Sequence, residues 1–159
     1  RCLVGSEMCI RDSSDEVAPN GYFTGATEAD IGDAQLVYEL LDMVNEARAE
    51  AGVAPFQWAN VDAAEEMVLI RANELTTLFS HDRPNGGYAP GEVCTKGPTS
   101  ASAAFSNWMN STSHRDHLMS PDYEYITAAR CGNCWVISIF SVLDDIVRYP
   151  ASNYLRPVY

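Results

Sequence analysis

The stretch from residue 123 to 142 confines this chain more tightly than any other, because it reads as two strands with almost no chain between them. Residues 123–129 and 135–142 are rich in aromatic and β-branched side chains, which favour extended backbone. Between them, Cys131-Gly132-Asn133-Cys134 supplies the Gly and Asn that a tight turn with positive φ prefers. A plain hairpin is predicted.

Helices are predicted ahead of it. Over 33–51, Leu36, Leu40, Val44, Ala47 and Ala51 recur at helical spacing, and Gly52 with Pro55 ends the run. Over 60–78, Asn60 offers an N-cap and Ala64, Met67, Val68, Ala72, Leu75 and Leu78 form the apolar stripe. Phe56 and Trp58 lie on the connection, where their bulk can fill the space between the two helices. Ala101, Ala104, Phe105 and Trp108 share one face over 100–109, and a short turn over 114–119, capped by Ser113, stops before Pro121. Helices followed by strands argue for an α+β or a layered α/β/α domain.

That domain is expected to occupy 33–142, after a linker at 14–32 that lacks periodicity and before a C-terminal extension at 143–159. Residues 1–13 are expected not to be protein-derived, since Leu3 to Asp12 back-translates into a widely used transposase adapter. Setting them aside removes Cys2 and Cys9 from the cysteine count and leaves the charge unchanged, because Arg1 and Arg11 balance Glu7 and Asp12.

Charge narrows the partners. The chain carries 22 acidic residues against 10 Lys and Arg, a formal −12, and Lys96 is its one lysine. A nucleic-acid partner needs a basic patch to displace counterions, and none can be assembled. Attraction to anionic lipid is weakened on the same ground. No apolar run approaches the roughly 18–20 residues of a membrane span. The acidity reads as a means of keeping a secreted protein soluble.

From 79 to 98 the pattern changes to a long segment dense in Gly and Pro, read as a loop of the kind that often carries function. It holds His81 and Glu92, and His114 follows on the short helical turn. Neutral imidazoles are good ligands for zinc or another borderline divalent metal, and a carboxylate can be a third ligand or an outer orienter of an imidazole. The same residues could instead simply hydrogen-bond the loop to the helices around it. His117, at i+3 from His114, could share its face. No nucleophile is convincing. Ser80 is adjacent to His81 in sequence, and Ser111 and Ser113 read as helix-end caps. Cys94 stands close to Glu92, whose charge raises a thiol pKa. Cys131 and Cys134 form a C-x-x-C without a second such pair, so a zinc knuckle is not expected. A disulfide from Cys94 to Cys131 or Cys134 is favoured over one flanking the tight turn.

Taken in order, V-N-E-A-R at 44–48, F-S-H-D-R-P at 79–84, G-E at 91–92, W-M-N-S-x-x-H-R at 108–115 and an aromatic-led strand at 135–140 resemble bacterial members of the CAP superfamily. That superfamily groups cysteine-rich secretory proteins, antigen 5 and plant pathogenesis-related protein 1. The resemblance runs from about Leu36 to Phe140. It implies an α/β fold built as a three-layer α/β/α sandwich, with a cleft that His81, Glu92 and His114 would line. The family's second acid falls near Ser111 and is absent. His117 and Ile137 also depart from the usual pattern, as does the short loop between His81 and Glu92.

The resulting expectation is a secreted, extracellular binding or interaction module without catalytic residues. Its cleft would take zinc or another divalent metal through His81, His114 and Glu92, or a small apolar ligand or peptide, with His117 and Ser111 as accessory groups. A metal-dependent, peptidase-like hydrolase with Glu92 as general base is the rival. A structural protein associated with the cell envelope is the third reading.

Overall fold

The computed structural model describes residues 27–84 and 91–143, so the expectations for 1–13 and 144–159 and most of the expected linker lie outside the described residues. In chain order the elements are α1 (Glu28–Ile31), β1 (Gln35–Leu36), α2 (Glu39–Glu50), β2 (Gln57–Trp58), α3 (Asp62–Thr77), β3 (Glu92–Lys96), α4 (Ala101–Met109), α5 (Thr112–Leu118), β4 (Tyr125–Cys131) and β5 (Cys134–Phe140).

The predicted hairpin is β4 and β5, paired antiparallel with Cys131 opposite Cys134 and Gly132 at φ 59° in the turn. Every residue of β5 is buried, which explains a run that is apolar except for Ser138. It is an interior strand, because β3 pairs antiparallel along its other edge with Cys94 opposite Val136. Along the outer edge of β4, β1 pairs antiparallel and β2 parallel, giving the order β1-β4-β5-β3 with β2 beside β4.

Alternation along the strands assigns the two faces. Val93, Ile126, Ala128, Trp135, Ile137 and Ile139 point into one core with Leu40 and Val44 of α2, Ala104 and Trp108 of α4 and Leu118 of α5. Cys94, Ala129, Cys131, Cys134 and Val136 point the other way, onto Val68, Ala72 and Leu75 of α3. Phe140 continues that face against Ala63, Ala64, Met67 and Ile70. Helices therefore cover both faces of one sheet, and the fold is a three-layer α/β/α sandwich.

The structure differs from the sequence reading at several places, beginning with strands that run Tyr125–Cys131 and Cys134–Phe140 rather than 123–129 and 135–142. The first helix starts at Glu39 rather than near Asp33, because residues 35–37 run extended beside β4 and Val37 N–H donates to the Ala128 carbonyl at 2.9 Å. A strand, β3, lies inside the segment read as loop, where its backbone is satisfied by β5. A short helix, α1, occupies the end of the expected linker; the Thr27 hydroxyl accepts from Asp30 N–H and the Asp30 carboxylate accepts from Thr27 N–H. The capping assignments also move. Val61, not Asn60, is the N-cap of α3, and Ser113 lies inside α5, whose N-cap Ser111 makes no side-chain capping bond.

Candidate functional site

The V-N-E-A-R segment lies on α2, and two of its polar members, Asn45 and Arg48, point inward while Glu46 is exposed. Asn45 pairs with the backbone of Phe56 in both directions, at 2.9 and 2.7 Å. Arg48 is 1% exposed and lies 3.8 Å over the Phe56 ring. It donates to the carbonyls of Ala54 and Leu118 at 2.7 Å, Ser120 at 3.0 Å and Tyr123 at 3.4 Å. Burial lowers its pKa. These bonds fasten the C-terminal end of α5, the helix that carries His114.

A second buried arginine fastens the segment that carries His81. Arg71 on α3 grips the Glu92 carboxylate with two bonds, Nε to Oε1 at 3.0 Å and Nη2 to Oε2 at 2.7 Å. Its Nη2 also donates to the Ser80 carbonyl at 2.9 Å, and its Nη1 to Glu74 at 2.7 Å. Glu74 in turn accepts from Arg83 at 2.6 Å. Burial alone would lower the Arg71 pKa, but the hydrogen bonds and charges of Glu92 and Glu74 override it and raise the value. Glu92, Arg71, Glu74 and Arg83 thus alternate in sign, and each buried charge faces an opposite one.

His81 stands at the end of this chain of charges. Its Nδ1 lies 3.0 Å from Glu92 Oε2, and its side chain is 65% exposed while that of Glu92 is 2% exposed. Cys94, one pleat along β3 on the same face, donates its thiol to Glu92 Oε2 at 3.4 Å. Burial, then the Glu92 charge, pushes that thiol's pKa well above its ordinary range, which keeps it protonated. The pair Glu92 and His81 therefore comes together as expected from the sequence.

His114 is half-buried on α5, and its Nδ1 is buried with no hydrogen-bond partner among the described residues. Burial lowers its pKa first, and the nearby charges of His81 and His117 lower it further. His117 is exposed and turned back on its own helix, with Nδ1 2.9 Å from the Ser113 carbonyl and its ring stacked on Tyr123. Among the described residues, the Ser111 hydroxyl reaches the Ser113 hydroxyl, at 3.4 Å.

The donor chemistry bears on the expected metal. Among the described residues, His81, Glu92 and Cys94 place ligand atoms within 4.8 Å of one another, and His114 is not in that group. Glu92 fits poorly as a ligand. Its Oε2 already meets Arg71, His81 and Cys94 and its Oε1 meets Arg71, and its charge is met by a guanidinium that would repel a cation. The imidazoles fit better, because imidazole nitrogen is a good donor to a borderline divalent metal. The three cysteines of the domain are free thiols, so the expected bridge from Cys94 to Cys131 or Cys134 is not formed. The register shows why: Cys94 faces Val136, one diagonal step from Cys134, while Cys131 and Cys134 face each other across the tight turn.

Arg71, Glu74 and Arg83 were missed in the sequence as site residues. A signal existed, because Met67, Arg71 and Leu75 stand at i, i+4 and i+8, so Arg71 occupies the buried stripe of α3.

The model of the cysteine-rich secretory protein family matches residues 41–143. No curated protein matches the sequence. An extracellular protein containing an SCP domain from Bacillus anthracis superposes with TM-score 0.58 at 17% identity, covering 65% of this chain and 39% of that one. A cysteine-rich secretory protein from Staphylococcus aureus superposes with TM-score 0.55 at 17% identity, covering 65% of this chain and 38% of that one. The chain thus spans about two fifths of the length of either neighbour, and the likeness is one of fold.

Proposed function

From the premise that the chain belongs to the cysteine-rich secretory protein family, we propose that it is an extracellular bacterial binding module whose cleft offers imidazole nitrogens to zinc or a similar divalent cation. One observation carries this reading: His81 is 65% exposed and held at Nδ1 by a buried carboxylate, which leaves Nε2 without a partner among the described residues. Imidazole with one nitrogen bound to a carboxylate is a common arrangement behind a metal ligand. His114, kept neutral by its depressed pKa, supplies the second imidazole. The extracellular assignment is supported by the neighbour from Bacillus anthracis, itself an extracellular protein.

Hydrolysis is the weaker reading. A general base on a metal-bound water needs a carboxylate free to take a proton, whereas Glu92 is engaged on both oxygens by Arg71. No reactive thiolate replaces it, since the Cys94 thiol is held protonated. A peptide ligand is the second reading that an observation favours. Leu78 and Phe79, 42% and 45% exposed, immediately precede Ser80 and His81 and give the site an apolar lip.

Calorimetric titration with Zn²⁺ tests the proposal. Wild-type protein should bind, His81→Ala and His114→Ala should each lose at least about tenfold in affinity, and His117→Ala should change it little. Equal affinity for wild type and a His81→Ala, His114→Ala double variant would sink the cation reading.

A further inference from the structure

We propose that the Arg71–Glu92 pair is a positioning device that fixes the tautomer of His81, with the proton on Nδ1 and the lone pair on Nε2, and that Glu92 acts on a bound cation from behind the imidazole rather than as its ligand. The inference rests on the cleft reading above only in its second half.

The argument begins with proton ownership. Glu92 accepts two hydrogen bonds from Arg71 and one from the Cys94 thiol, so both of its oxygens act as acceptors. A carboxylate oxygen that acts as an acceptor has no proton to give. The 3.0 Å contact between Glu92 Oε2 and His81 Nδ1 therefore needs its proton on the ring nitrogen. In a neutral imidazole one nitrogen carries the proton and the other the lone pair, so Nε2 becomes the acceptor. An unrestrained histidine side chain prefers the opposite tautomer, which is why a partner at Nδ1 matters.

Arg71 makes the arrangement rigid from two directions. Through Nε and Nη2 it fixes both oxygens of Glu92, and through the same Nη2 it holds the Ser80 carbonyl, the peptide oxygen directly ahead of His81. Side-chain partner and backbone of the imidazole are thus referenced to one guanidinium. On its far side Arg71 binds Glu74, which Arg83 shares, so the segment 80–83 is gripped at the Ser80 carbonyl, the His81 ring and the Arg83 side chain. A planar five-donor group can do this where an ammonium cannot. The same bonds explain why Glu92 makes a poor inner ligand: Oε2 is crowded by Arg71, His81 and Cys94, and a cation at either oxygen would sit next to Arg71.

Two-bond ¹H–¹⁵N correlation spectra of the metal-free protein, at a pH where His81 is neutral, read the tautomer directly. Wild-type His81 should show a protonated Nδ1 and an unprotonated Nε2. Glu92→Met, which removes the acceptor, should shift His81 toward the Nε2–H form and weaken Zn²⁺ binding by about 10–100-fold. Glu74→Gln disturbs the same charge chain but leaves Glu92 in place, so it should lower stability without moving the tautomer. With Zn²⁺ added to wild type, the Nδ1–H signal should persist. An Nε2–H tautomer in the wild type overturns the proposal, and that measurement stands even if Glu92→Met does not fold. Loss of the Nδ1 proton on metal binding overturns it equally, since it would place the cation between His81 and Glu92. Absence of any Zn²⁺ binding by the wild type would remove the cation reading and the second half of this proposal, while the tautomer spectrum still decides the first.

Discussion

Arg71 and Arg48 show what a charged side chain does when it stands where an apolar one is expected. Leu40, Val44 and Arg48 follow the i+4 register on α2, as Met67, Arg71 and Leu75 do on α3, and both arginines are about 1% exposed. In sequence a single Arg within a helical run reads as a solvated position, which is why these two went unassigned. His81 and Glu92 were legible because their local strings and order resemble those of a family, although nothing in the strings told that Arg71 joins them. His114 yields a prediction at this scale. Its folded pKa lies below the ordinary 6.5, chiefly through burial. As pH falls below that value the unfolded chain takes up the proton before the folded one, so stability is full above it and declines toward the folded pKa. His114→Gln should flatten that decline in denaturant melts run across the window. An unchanged slope would show that His114 is not the group responsible. At Cys94 the thiol should resist alkylation in the native protein and react only on unfolding, since it is buried and held protonated; labelling at the native rate of a free thiol would contradict this.

Among the elements, legibility followed length. The hairpin and the main helices carry their own periodicity over many residues, and each was found. The strands β1 and β2 are two residues long, too short for alternation to register, and exist because β4 has a free edge to fill. β3 was hidden by its flanks, where Gly91, Gly97 and Pro98 punctuate the chain on either side of Glu92–Lys96. α4 was placed correctly, and Trp108 is fully buried in the core between α2, α5 and the sheet. Trp108→Ala should cost about 3–5 kcal/mol in equilibrium unfolding. A loss under about 1 kcal/mol would mean the surrounding core closes over the cavity, which packing at ordinary protein density does not allow.

For the whole molecule the governing quantity is the formal charge of −12. Like charges spread over a small sandwich repel one another, and the folded state concentrates them. Moderate salt should therefore raise the melting temperature, most steeply below about 0.15 M, where the Debye length still exceeds about 8 Å. A fall in melting temperature over that range would show that surface repulsion does not dominate the salt response. No helix among the described residues is long and apolar enough to cross a membrane.

The acceptors chosen by Arg48 have a consequence for how such a chain can evolve. Ala54, Leu118, Ser120 and Tyr123 are all contacted through their carbonyl oxygens. Every amino acid supplies that oxygen, so mutation at those four positions removes no acceptor so long as the backbone keeps its path. The donor, by contrast, is irreplaceable, because no other side chain offers five N–H groups in one plane. Genetic drift is thereby permitted around the anchor and forbidden at it. Contacts of this kind give a physical route by which one architecture can persist between chains that share only 17% of their residues.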